Sequence, residues 1–170
     1  ILLPFALWIG HFVNLNIGPE NSESLIGALE PSISDFYHTP LRDLFVGGLC
    51  AVALFLFYYA GYDLVDNSIA NVAGASAIGV AFIPTPNSWH YVFAVTFFLM
   101  LTWFSIQRFT KRDLSIPISE GKIIRNKIYV TCGIIMMLCL IVCAFQLTGW
   151  IDFSLVRLIY WMETVALIAF

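Results

Sequence analysis

Three histidines and a few carboxylates are the residues of this chain that could do chemistry: His11, His38 and His90, with Asp35, Asp43 and, far along the sequence, Glu163. Imidazole nitrogens and carboxylate oxygens suit zinc, and a three-ligand site leaves a position at which the metal can activate a water. None of the three histidines stands at i, i+3 or i+4 from another, so the fold would have to gather such a centre from separate segments. Arg42 lies beside Asp43, and Arg157 lies six residues before Glu163, so each cation sits near a carboxylate. The stretch "SISDFYHTPLRD", residues 32–43, holds His38, both aspartates and Arg42 immediately before the apolar run "LFVGGLCAVALFLFYYA". That placement makes the polar stretch the candidate lip of a membrane helix.

Other familiar chemistry is missing from the sequence. There is no Cys/His finger spacing, Walker loop, Rossmann glycine fingerprint or serine-hydrolase elbow. Cys50, Cys132, Cys139 and Cys143 all fall inside apolar runs, where a thiol packs as a small hydrophobe, and they carry no redox information.

The elements that must position these groups are set by composition. With 60% hydrophobic and 11% charged residues, and a mean hydropathy of +0.87 for a 19.1 kDa chain, there is too little polar surface to cover a water-soluble globule. The expected fold is therefore all-α, a single domain forming a bundle of six transmembrane helices. The spans fall at about 1–15, 41–60, 67–83, 89–107, 127–147 and 153–170. Thr39 and Pro40 are placed to cap and open the second. The first and last runs stop without polar tails, as expected of a chain that continues beyond both ends.

Six of the eight basic residues lie in one segment, "RFTKRDLSIPISEGKIIRNK", which places that loop on the cytoplasmic side. Both termini then lie inside, in a bacterial-type inner (plasma) membrane. The 16–40 loop and the "IPTPNSWH" turn lie outside, and all three histidines come to the outer side. The 16–40 loop fits, with four carboxylates and no Lys or Arg. The other inner loop, "YYAGYDLVDN", carries two aspartates and no base. A net charge of −3 argues against nucleic acid as a partner and leaves membrane lipid; monomer and small homo-oligomer both fit.

Two further expectations concern packing. In the third span, Ala70, Gly74 and Ala77 form a ridge with Ala73 and Ala81 beside it, which allows close helix approach and puts that helix at the bundle centre. Within the outer loop, "NSESLIGALE" reads as a short surface helix with Asn21 or Ser22 as its cap. Glu163 lies about 16 Å along a straight helix from Asp152, near mid-bilayer, where a carboxylate must face protein or water and so marks a functional position.

The segments "SISDFYHTPLRDLFVGGL", "GYDLVDNSIANVAGASAIGVAFIPT" and "IYWMETVALIAF" resemble small bacterial six-span membrane proteins of unassigned function. "PSISD" followed by "PLRDLF" is distantly similar to the DRAM-type and Sfk-type family. That resemblance implies six helices and marks Ser34, Asp35, Arg42, Asp43 and Glu163. A looser one, to the ceramidase and adiponectin-receptor superfamily of intramembrane zinc hydrolases, rests on Ser34 and His38 of "SDFYH" with His90 downstream. That superfamily usually has seven spans and paired late histidines, and here "SDFYH" is expected in the connection before a helix.

The leading functional expectation is a membrane protein that binds a lipid or small ligand in an outward-facing polar pocket. Asp35, His38, Arg42, Asp43 and His90 would form it, above Arg157 and Glu163. The enzymatic alternative is a zinc-dependent hydrolase of a lipid amide or ester, with His11, His38 and His90 holding the metal. A channel or proton-coupled carrier centred on Glu163 and Arg157 is a third class.

Overall fold

The computed structural model describes residues 2–15, 28–61, 63–108, 110, 120–147 and 158–169. Among these, all regular structure is helical. In order they are α1 (Leu3–Leu15), a 3-10 helix (Ile33–His38), α2 (Arg42–Tyr58), α3 (Leu64–Phe82), α4 (Ser88–Trp103) prolonged by a π turn (Phe104–Arg108), α5 (Glu120–Leu147) and α6 (Leu158–Ala169).

Local chemistry explains the boundaries. Thr39 does not cap α2 directly: its hydroxyl donates to the Phe36 carbonyl at 2.8 Å and accepts the Leu41 amide at 3.2 Å, so the chain turns once more and the helix begins at Arg42. The aspartates of "GYDLVDN", expected in a loop, instead start α3. The Asp63 side chain accepts the Asp66 amide at 2.9 Å, and Asp66 itself is fully buried. Asn87 caps α4 by accepting the Trp89 amide at 2.9 Å. The fifth helix starts at Glu120, not near 127, and so takes Lys122, Arg125 and Lys127 out of the basic loop.

Six spans of membrane length are not present among the described residues. Two helices are both long and apolar enough to cross a bilayer, Ser88–Gln107 with 20 residues and Glu120–Phe145 with 26. The reason is partly length and partly polarity. The 17 residues of α2 rise only about 25 Å. The 19 residues of α3 include Asp66, Asn67, Ser68, Asn71 and Ser76, which dilute its hydropathy. Leu3–Leu15 and Leu158–Ile168 are apolar but shorter still.

Helix α3 packs between α2 and α4, while α5 packs on α4 and α6. The small-residue ridge is buried, with Ala70, Ala73, Ala77 and Ala81 inaccessible. A Cβ on Gly74 would stand 3.1 Å from the Ala53 carbonyl oxygen of α2, and one on Gly79 would stand 2.4 Å from the Phe93 ring of α4. Glycine thus admits the α2 backbone on one side of α3 and the Phe93 ring of α4 on another. Ser105 Oγ donates to the Tyr129 carbonyl at 2.6 Å, which ties the π turn to α5.

The outward faces are apolar instead of polar. Leu54, Phe55, Val72, Phe82, Trp89, Val92, Leu99, Trp103, Ile134 and Leu138 are all exposed, while His90, Ser76, Thr102 and Ser105 are buried.

Candidate functional site

The 3-10 helix is the hub of the site. Its sequence "ISDFYH" is tied down at both ends by groups from elsewhere in the chain. The Ile33 amide, unpaired within so short a helix, donates to Glu163 Oε2 of α6 at 2.7 Å. Asp35 Oδ2 accepts the Ser32 amide and the Ser32 hydroxyl, both at 3.1 Å. Asp35 Oδ1 accepts the Thr85 hydroxyl at 2.9 Å, which fastens the 3-10 helix to the α3–α4 turn. From α6, the Tyr160 amide donates to the Pro31 carbonyl at 3.1 Å and the Tyr160 hydroxyl to the Pro4 carbonyl at 2.7 Å. Phe36, Phe45, Leu7 and Tyr160 form the apolar bed beneath.

Beside this hub lies a cavity of about 140 Å³ bounded by the 3-10 helix, α4, α5 and α6. One end is polar, with Ser32, Ser34, Asp35, Thr85, His90 and Glu163; the rest is walled by apolar groups such as Phe98, Leu140 and Ala166. Two of its lining residues are exposed, Val95 of α4, at 45%, and Pro31 just before the 3-10 helix. A smaller hollow of about 40 Å³ adjoins Glu163 on the side of Val80 and Phe97. Glu163 therefore faces the bundle interior. The side chains of Arg157 and Asp152 lie outside the described residues, as does most of the expected surface helix "NSESLIGALE".

The histidines do not form one centre. His11 Nδ1 donates to the Ala28 carbonyl at 3.0 Å, lies 3.6 Å from Glu30 Oε1, and its ring meets Phe36 edge-on. His38 Nε2 donates to the Thr85 carbonyl at 3.0 Å, and His90 Nδ1 donates to the Ile83 carbonyl. Carbonyls only accept, so each of these nitrogens carries its proton and the other nitrogen of a neutral ring is left as an acceptor. Among the described residues no group of three His, Cys, Asp or Glu is placed to hold a metal ion. The expected zinc set His11, His38 and His90 is thus not gathered into one centre among the described residues; each ring is held by a different carbonyl.

Of the other expected ligand residues, Asp35, His90 and Glu163 line the cavity. His38 is exposed and acts on it only through Thr85. Arg42 is exposed, donates to the Tyr37 hydroxyl at 2.8 Å and stacks 4.5 Å over that ring, so its charge is spent locally. Asp43 is exposed in the first turn of α2 and does not line the cavity. "SDFYH" lies within a 3-10 helix and not in an irregular connection. Sequence reading missed Thr85, whose only signal is its position between two prolines in "IPTPN", and the cavity wall on α5 made by Cys139, Leu140 and Cys143.

Comparison with protein-family models, with curated proteins and with solved structures gives no match.

Proposed function

We propose that this chain is an integral membrane protein that binds a lipid or small amphiphilic ligand in the cavity between the 3-10 helix, α4, α5 and α6. In this reading α4 and α5 cross the bilayer of a bacterial-type inner membrane, and the shorter helices pack against them. The connection between α4 and α5 faces the cytoplasm, and the 3-10 helix faces outward. The membrane part rests on the reversed polarity of the helices, with Trp89, Val92, Leu99 and Trp103 outward on α4 and His90 and Thr102 inward. Contiguous exposed apolar surface of this kind suits lipid and not water.

The ligand part rests on one observation: a cavity that combines the carboxylates Asp35 and Glu163 with a largely apolar wall, with Val95 on its exposed rim. Enclosed spaces of this sort, apolar with a few convergent polar groups, are the usual form of small-molecule sites. A zinc hydrolase would need ligands that the described histidines do not bring together. Native mass spectrometry of the protein in phosphatidylcholine nanodiscs tests the reading. The expected result is a retained amphiphile that is lost in Val95→Trp, which blocks that rim from an exposed position; a bare spectrum for both proteins, with and without added amphiphile, would overturn it.

A further inference from the structure

From the hydrogen-bond pattern around the cavity we infer that its polar end selects an amphiphile with a donating, positively charged head: a protonated primary amine on an alkyl chain. This rests on the ligand-binding reading above and narrows it to a chemical class. The protons of the polar end are already committed inward. The Ser32 and Thr85 hydroxyls both donate to Asp35. His90 gives its Nδ1 proton to the Ile83 carbonyl, which leaves Nε2 of the neutral ring as an acceptor. The Ile33 amide is taken by Glu163 Oε2. What remains to meet a ligand is mainly lone pairs: the second oxygen of Glu163, the hydroxyl oxygens of Ser32 and Thr85, and the His90 ring nitrogen. Among the lining groups that can also donate, Ser34 and Tyr91 carry hydroxyls and Cys139 and Cys143 carry only weakly donating thiols. Arg42, the cation nearest in sequence, is turned to Tyr37.

Two carboxylates without a lining Lys or Arg among the described residues disfavour an anionic head and stabilise a cationic one. Size limits the rest. A volume of about 140 Å³ is close to that of a cavity that admits benzene, so it holds an ammonium head and the first few carbons. In this inference the remaining chain leaves past Val95, the exposed lining residue of α4, onto an apolar face where Val92 and Leu99 are exposed. Such an amine has two sources, a free long-chain amine or the head of phosphatidylethanolamine, and both present the same ammonium to Glu163.

The test compares octylamine, octanol and octanoate at neutral pH by calorimetric titration of the full chain in phosphatidylcholine nanodiscs, with Val95→Trp defining non-specific partition. The inference expects octylamine to bind at least about tenfold tighter than the other two, the size of one charge-assisted hydrogen bond. It also expects Glu163→Gln to abolish that preference while octanol binding stays. Glutamine keeps an oxygen for the Ile33 amide, and an unchanged melting temperature of Glu163→Gln separates loss of the head contact from loss of the fold. Displacement of octylamine by phosphatidylethanolamine vesicles supports the lipid head as the source. Full octylamine binding without displacement supports a free amine. Equal binding of the three probes above background, or a preference that survives Glu163→Gln, overturns the amine inference alone. No binding of any probe above the Val95→Trp background overturns the cavity reading with it.

Discussion

Glu163 Oε2 of α6 accepts the backbone N–H of Ile33 at 2.7 Å, a bond between residues 130 apart in the chain. The acceptor is an ionisable side chain and the donor is the first amide of a two-turn 3-10 helix, a group with no partner inside the helix. This single contact seats the 3-10 helix on α6 and fixes one carboxylate oxygen of a residue that also lines the cavity.

Replacing Glu163 by leucine therefore leaves the Ile33 amide without an acceptor and is expected to destabilise the protein by about 1–3 kcal/mol. Glu163→Gln retains an amide oxygen in the same place and should melt close to the parent. Thermal unfolding in a mild detergent, followed by circular dichroism, distinguishes the two. A Leu variant that melts like the parent would show that the contact contributes nothing to seating the 3-10 helix.

Tyr160 makes a second, independent tie. Its hydroxyl donates to the Pro4 carbonyl at 2.7 Å in a fully buried setting, joining α6 to α1. Tyr160→Phe removes only that oxygen, and the expected loss is about 0.5–1.5 kcal/mol. Because the bond joins the two ends of the described chain, the variant should also raise the hydrogen-exchange rate of α1 amides more than those of α3.

These ties were only partly legible in the sequence. The helical class and the order of the helices followed from composition and apolar runs, and the buried ridge followed from small residues at helical spacing. Glu163 facing inward followed from the cost of a carboxylate in lipid. What failed did so for local reasons. The span expected at 41–60 is the shorter helix Arg42–Tyr58, mostly because it ends early, where the Tyr59 amide closes on the Leu56 carbonyl. Asp63 and Asp66 looked like loop residues because a capping aspartate and a loop aspartate have the same sequence signature. The histidines looked like a set because sequence reports their depth and not what their ring nitrogens face; backbone carbonyls from distant segments are invisible in a string of residues.

The glycine contacts of α3 give a sharper packing test. A Cβ at Gly79 would meet Phe93 Cγ at 2.4 Å, and one at Gly74 would meet both the Phe57 ring at 2.9 Å and the Ala53 carbonyl oxygen at 3.1 Å. Phe93 is a side chain able to turn aside, whereas the Ala53 oxygen is backbone. Gly74→Val should consequently cost about 1–3 kcal/mol by forcing α2 and α3 apart. Gly121→Ala, where a Cβ meets nothing within 4 Å, should be neutral or slightly stabilising. Parallel melts of the two variants check the contrast, and equal effects would deny that α3 is held by close approach.

The orientation in the membrane yields the last expectation, and it can be tested at two described positions. Helices α4 and α5 run antiparallel, since Ser105 meets Tyr129 near one end and Phe98 shares the cavity wall with Cys139 and Leu140 nearer the other. Ser88 and Gly121 therefore lie at opposite ends of this pair, and both are exposed. Lys122, Arg125 and Lys127 follow Gly121 directly, and short segments rich in such residues stay on the cytoplasmic side because they resist translocation. With the four native cysteines replaced by alanine, Ser88→Cys should react with a membrane-impermeant maleimide in intact cells. Gly121→Cys should react only after the membrane is permeabilised. The reverse labelling would put the 3-10 helix, Asp35 and the polar end of the cavity on the cytoplasmic face, so that any amphiphile entering there would come from the inner leaflet. Labelling of both sites in intact cells would mean that the pair does not cross the bilayer, and the exposed apolar face of α4 would then need a protein partner to cover it in place of lipid.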